Sequence, residues 1–295
     1  MVRQTKSVLD ALSDMASSMT KKQLILSRYI SSEYEKAAFM NSKELARNAG
    51  VSESTVLRLA GALGYEKFND FQSALQDVIR RRISWLDTLE SSNSPSSGLL
   101  EKIAVLEISL IREMLGAIDQ SHFRQAIERL GSAASVLVVG LGDDRGFCEY
   151  ATAALELIRP DVHEIEGRED GKLTNALAHI EDGVALVYNF PRYYRKAIRY
   201  AEYIHDMGVP IIAVTDNRLA PIVPFADIVL LVPTHHQSIV DSRSAVHTLT
   251  HALTVGVIKS NPQRARQGIL NFYRISNFVD SNVEQDIEIE MDASL

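Results

Sequence analysis

Apolar residues follow two regimes along this chain. Up to about residue 90 they recur at helical spacing, as in QLILSRYISSEY, where Leu24, Ile25, Tyr29 and Ile30 share a side. Strand-like alternation is absent there, so the front part is expected to be all-α. From Ser135 the pattern changes to short apolar runs, VLVVG, DVHEIE, ALVYNF, PIIAVTD and IVLLVP, separated by helical stretches. Runs without alternation suit strands covered on both faces, and the spacing leaves room for crossover helices. Five buried parallel strands flanked by helices are expected, closed by the helices SAVHTLTHALTVGVIKS and QGILNFYRISNFV.

The Ser-rich ESSNSPSSG (90–98), with Pro95 and Gly98, has the composition of a linker, and a long amphipathic stretch from Leu99 to Leu130 follows, interrupted mildly at Gly116. The expected organisation is a helical domain over 1–90, a linker and connecting helix over 91–134, an α/β domain over 135–280 and an acidic tail over 281–295.

Within the front part, NSKELARNAGVSESTVLRL (41–59) reads as two short amphipathic helices around a glycine turn. Asn41 can cap the first helix while Glu44 reaches back to it, Gly50 supplies a position where positive φ is easy, and Ser52 caps the second helix. Leu45, Ala46, Ala49, Val56, Leu59, Ala60 and Leu63 are expected to face inward, with Val51 plugging the turn. A small residue at Ala46, glycine at 50 and core valine at 56 have the spacing of a DNA-reading helix-turn-helix. Its outward face would carry Ser52, Glu53, Ser54, Thr55 and Arg58. Arg58 is the candidate base reader, since an arginine in a major groove can fork onto guanine. Ser52, Ser54 and Thr55 offer hydroxyls, and Lys43, Arg47 and Lys67 could touch phosphates. Glu53 either complements the helix dipole, the favoured reading, or accepts from a cytosine, and Arg80–Arg82 form a solvated helix end or touch flanking phosphates. The plain alternative is an ordinary αα-hairpin of a helical bundle.

The stretch SKELARNAGVSESTVLRLAGALGYEKFNDFQSAL (42–75), including LGY..F..F, resembles the N-terminal domain of the RpiR family of bacterial transcriptional regulators. Residues 135–260 look like the sugar isomerase (SIS) domain that follows in that family. The resemblance implies a repressor or activator whose SIS domain dimerises and senses a metabolite, usually a phosphosugar.

The ligand loops depart from what the resemblance implies. Where the family usually places Ser after the first strand, GLGDDRG (140–146) has Asp144, and an ionised carboxylate repels a phosphate dianion. The third loop, NFPRYYRK (189–196), lacks Ser and Thr, and Pro191 removes an N–H donor. Three readings stand side by side. Asp143 and Asp144 bind sugar hydroxyls or a cation; Arg145, Arg192 and Arg195 hold an anion; or the pocket is degenerate and the domain serves dimerisation alone. Gly142, Asn189, Tyr193, Thr215 and Asp216 complete the candidate rim, at the C-terminal ends of the strands.

Other chemistry is thin. GLGDDRG lacks the third glycine of a dinucleotide fingerprint, because Arg145 stands there. His247 and His251 share a helical face in HTLTH without the Glu of a metalloprotease, and His235 and His236 carry no better signal; no metal and no cofactor are expected. His251 keeps a formal role as a general base open. Cys148 is the single cysteine and reads as a packed hydrophobe.

Net charge is −7, split as +2 over residues 1–90 and −9 over the remainder, with six acidic and no basic residues from Asp280 onward. The 46% hydrophobic composition suits a globular protein, and no run is long enough to span a bilayer. A cytoplasmic protein is expected, no membrane among its partners. The partners expected are double-stranded operator DNA, a small effector (sugar, sugar phosphate or other metabolite) and a second copy or copies, as homodimer or homotetramer. The competing class is a SIS-type sugar isomerase with an unusual helical N-terminus, which would need phosphate-anchoring hydroxyls that the two loops lack.

Overall fold

A computed structural model describes residues 7–90, 98–165, 170–178, 180, 182–234 and 241–279; for 81–90, 170, 172 and 276–279 it describes the backbone alone. Most of the expected linker, the acidic tail, the side chains of Arg81 and Arg82, and His235 and His236 lie outside this description.

The front part is helical: α1 (Val8–Asp14), α2 (Lys21–Ser32), α3 (Tyr34–Ala37), α4 (Ser42–Ala49), α5 (Glu53–Ala62) and α6 (Phe68–Glu90). Three of these starts are closed by reciprocal capping boxes, Ser7 with Asp10, Thr20 with Gln23 and Asn41 with Glu44, which satisfy backbone N–H groups that a helix start leaves open. Leu12, Leu26, Ile30, Leu45, Val56, Leu59, Phe71 and Leu75 form one core. The LGY..F..F signature has a local cause. Gly64 (φ 89°) ends α5 in the left-handed region, and the Tyr65, Phe68 and Phe71 rings then pack on one another at 5.6 and 6.0 Å.

Two helices follow, α7 (Leu99–Ala117) and α8 (Gln120–Ser132). The break expected near Gly116 falls instead at Ile118, whose backbone is extended, because Asp119 caps α8 by accepting from Ser121 and His122 N–H; Gly116 stays helical.

The α/β part holds β1 (Val136–Gly140), α9 (Arg145–Glu156), β2 (Val162–Ile165), α10 (Asp170–Leu177), β3 (Val184–Tyr188), α11 (Arg195–Asp206), β4 (Ile211–Thr215), β5 (Ile228–Leu231), α12 (Ser244–Ser260) and α13 (Pro262–Val279). The strands are parallel in the order β2-β1-β3-β4-β5, with Val136 beside both Val162 and Val184, and Ile212 beside Ile228. Even residues of β1 pack with α8, α9 and α12, and odd residues with α10 and α11, making three layers. All five strands occur where the apolar runs predict. Two are not fully buried, however: β2 and β5 are the sheet edges, and each is partly exposed along its length. Buried Arg159 closes the C-terminus of α8, donating to the carbonyls of Leu130, Ala133 (2.7 Å) and Ala134 (3.0 Å).

The two parts meet at the loop after β4. Leu219 is fully buried as a member of the helical core, and Arg218 N–H donates to Ser13 Oγ at 3.3 Å.

Candidate DNA-reading surface and sensor cleft

The α4–turn–α5 unit follows from its local sequence. Gly50 sits at φ 69°, ψ 32°, with Val51 N–H donating to Ala46 O (2.9 Å) and Gly50 N–H to Arg47 O (3.3 Å), the double bond of a Schellman turn. No side chain crowds Gly50, so its requirement is the positive φ alone. Leu45, Ala46, Ala49, Val56, Leu59 and Ala60 are buried as expected; Val51 and Leu63 are half-buried against the same core.

On the outer face Ser52, Ser54 and Arg58 are exposed, as are Lys43, Arg47 and Lys67. Thr55 is not. It is 4% exposed, because it shares the inner side with Val56 and Leu59, one turn along, and its hydroxyl bonds to Ser52 Oγ at 2.9 Å. Burial thus takes Thr55 off the outward face on which the sequence places it. Ser52 also differs from expectation: it stands at the cap position, but its hydroxyl bonds to Ser54 and Thr55 and makes no cap hydrogen bond to the backbone. Glu53 accepts from Ser42 Oγ at 2.6 Å, tying α5 to the start of α4. Arg58 folds back on its own helix, its Nε 3.1 Å from Ser54 O. Sequence reasoning missed Leu57, 48% exposed in the middle of this surface. An apolar residue standing out of phase with the inner stripe was the available signal.

The cleft lies at the C-terminal ends of β1 and β3, where the strand order reverses and such sheets bind ligands. Gly142 opens it at φ 61°, and a side chain there would strike the Tyr194 ring. Asp144 is 2% exposed; Phe190 N–H donates to one carboxylate oxygen at 3.1 Å, and Arg243 Nη1 lies 3.4 Å from the other. Burial raises the proton affinity of this carboxyl to about 6, against the opposing pull of Phe190 N–H and Arg243. The Arg243 guanidinium lies 5.1 Å from the Phe147 ring centre and 6.0 Å from that of Phe190.

The three arginines of the second reading do not converge. Arg145 is held by Glu149 on its own helix (2.8 Å), Arg192 by Asp143 (3.3 Å), and Arg195, almost fully exposed, lies 3.6 Å from Glu33 of the helical part. A joint guanidinium clamp over the cleft is thus absent among the described residues. On the remaining rim, Tyr193 is buried and donates to Asp216 (2.7 Å) while accepting from Asn217; burial, together with Asp216, raises its phenol well above the usual range. Thr215 donates to Asn189 O at 2.6 Å, and Asn189 is fully buried with neither side-chain amide atom bonded among the described residues. Arg243 is the cleft residue that sequence reasoning missed. Its one signal was a lone cation in front of an apolar helix, about a hundred residues from Asp144.

Cys148 is buried, its thiol pushed up to about 12 by desolvation, which fits an unreactive packed residue. His247 packs between the Phe147 and Tyr150 rings at 5.1 and 5.2 Å and is held below its usual proton affinity by burial and by Arg243; His251 bonds the Tyr150 hydroxyl at 3.3 Å. A cavity of about 590 Å³ lies at the opposite, N-terminal ends of the strands, lined by Ala133, Gly183 and Pro210. Ligands of such sheets bind at the other end.

Comparison with known proteins agrees with both halves. Residues 6–81 match the helix-turn-helix domain of the rpiR family, and residues 129–256 match the SIS domain. An uncharacterized HTH-type transcriptional regulator of Haemophilus influenzae is 20% identical over 228 residues, 76% of this chain and 79% of the relative. A second such regulator, from Caldanaerobacter subterraneus subsp. tengcongensis, is 21% identical over 226 residues, with 76% and 79% covered. In fold the chain is similar to the sugar isomerase domain of an RpiR transcription factor from Sphaerobacter thermophilus (TM-score 0.55, 22% identity, 60% of this chain and 99% of that one). It is also similar to Vibrio vulnificus NanR complexed with ManNAc-6P (TM-score 0.55, 18% identity, 94% and 99%). The chain therefore belongs to the RpiR family of transcriptional regulators, a helix-turn-helix domain followed by a SIS domain.

Proposed function

We propose that this regulator reads a duplex operator with the outer face of α5 and is controlled by a small metabolite held at the switch-point cleft of its SIS domain. One observation carries the first half: the inner side of α5 is closed within its own core (Val56 and Leu59 1% exposed), while Ser54, Leu57 and Arg58 face solvent together. A helix in this state can enter a major groove without unfolding its domain. Arg58 would leave Ser54 and fork onto a guanine, Leu57 would meet a thymine methyl, and Ser52, Ser54, Lys43, Arg47 and Lys67 would serve phosphates.

Exposed apolar residues on α7 (Leu100, Val105, Ile108) and α13 (Phe272, Tyr273, Ile275) support association with a second copy, as homodimer or homotetramer. A twofold dimer would read half-sites about one helical turn apart. The role is regulatory, in keeping with the two relatives named HTH-type transcriptional regulators, and on this reading the protein acts in the cytoplasm with the DNA and not as an isomerase.

NanR was solved with a phosphosugar. Here the candidate effector contacts are Gly142, Asp143, Asn189, Arg192, Tyr193, Thr215 and Asp216, with Asp144 already engaged by the protein itself and Arg145 and Arg195 turned to carboxylates elsewhere. That set favours a hydroxyl-bearing metabolite over a bare phosphate ester.

The test is fluorescence anisotropy on DNA flanking the protein's own and neighbouring genes. Arg58→Ala should weaken the specific site by about 1–3 kcal/mol and non-specific DNA hardly at all. Equal losses on both would remove Arg58 as a base reader.

A further inference from the structure

Two donors converge on one point between β1 and β3, where α9 begins: the N–H of Phe190 and the guanidinium of Arg243, while the Asp144 side chain makes no cap hydrogen bond to α9 itself. Such a pair of donors can receive an oxyanion, and both oppose the cost that burial sets on its charge. The point is already taken, by the carboxylate of Asp144, with the Tyr194 ring closed over Gly142 beside it. Asp144 uses less than the site can give. A buried carboxylate has about four acceptor positions, and here it meets one N–H and one guanidinium at 3.4 Å. Among the described residues, both amide atoms of fully buried Asn189, the neighbour of Phe190 in the chain, also have no partner, so polar capacity in this loop is left unmatched.

The loop that supplies Phe190 has a second side. Tyr193, three residues on, bonds Asp216 and shares a small cavity with Ser31 of α2, and Arg195 faces Glu33 just beyond that helix. The same short segment therefore touches both the filled anion position and the DNA-reading domain.

We propose that Asp144 is a built-in ligand: its carboxylate stands in the cleft's oxyanion position in place of an external anion and holds the loop 189–195 in the form that docks the helical domain. The unmodified chain is then blind to phosphate at this point, and removing the carboxylate creates a phosphate site. The binding half stands on this geometry alone; its effect on DNA rests on the sensor reading above.

The experiment compares full-length wild type, Asp144→Ser and Asp144→Ser/Arg243→Gln by calorimetric titration with inorganic phosphate at matched ionic strength. Asp144→Ser should bind one phosphate per chain, at least tenfold tighter than either comparison protein, and its Tm should rise by several degrees at phosphate about 100-fold above Kd. A folded Asp144→Ser that binds no better than wild type overturns the proposal, as does phosphate binding that survives loss of Arg243 undiminished. Should Asp144→Ser not fold in chloride, refolding in phosphate is the measure: recovery in phosphate alone supports the proposal and recovery in neither salt overturns it. Operator anisotropy of Asp144→Ser with and without phosphate separates the two halves. A changed operator affinity supports the docking role. Phosphate binding with unchanged operator affinity removes that role and counts against the sensor reading, while the anion position stands.

Discussion

The outer face of α5 and the cleft between β1 and β3 are assembled on different scales of the chain. The proposed DNA-reading surface is set within about twenty residues: a capping box at Asn41, a left-handed glycine at 50 and an inward stripe from Val56 to Ala60. The cleft joins Asp144, Phe190 and Arg243, the latter two lying 46 and 99 residues from Asp144, and they meet because parallel crossovers return each strand end to the same edge. Local chemistry can be read as text. Distant chemistry has to be folded first.

Substitutions test this contrast, beginning where the non-local packing is deepest. Leu219→Ala, on a SIS loop yet fully buried in the helical core, should destabilise the DNA-reading domain by about 2–5 kcal/mol, seen as an earlier denaturant midpoint of that domain. A loss confined to the SIS transition would undo the description of a shared core.

Asp144→Asn should come next, and its sign depends on pH. The folded carboxyl titrates near 6 against 3.8 for an unperturbed aspartate, so the fold favours the protonated form. Any contribution is fully present below about pH 4 and is lost as pH rises through 6. At pH 7 the buried charge costs up to about 3 kcal/mol, and the amide should recover part of that while leaving stability at pH 4 nearly unchanged. Urea melts at the two pH values measure it, and an equal effect at both would show that charge is not the cause.

Gly50→Ala should cost about 1–2 kcal/mol through backbone strain alone, since no atom lies near the added methyl. Thermal melts of the variant suffice. Smallest is Thr55→Val, which should change operator affinity by less than about 0.5 kcal/mol because the hydroxyl lies inside. A loss comparable to that of Arg58→Ala would return Thr55 to the DNA surface.

The same contrast explains what the sequence can reveal. The five strands, the turn at Gly50 and the inward stripe of α5 depend on period and on near neighbours, and they occur where the residues place them. Thr55 misleads because a hydroxyl looks polar in the sequence although its angular position on the helix is internal. The helix break is misplaced from sequence because Gly116 draws attention while the cap is made by Asp119 three residues later. Strand β2 is read as buried with the others although its run, DVHEIE, holds one Asp, one His and two Glu, which fit the exposed edge that it forms. Nothing local marks Leu219, and the lone cation of Arg243 does not name its partner, so both roles exist only through the topology.

Leu219 has one more consequence. It is a hydrophobic tooth that the sensor lends to the reading head, so the two halves are not interchangeable cartridges. Grafting the helical domain onto another sensor would leave a socket in its centre unless a tooth of the same shape came with the new partner.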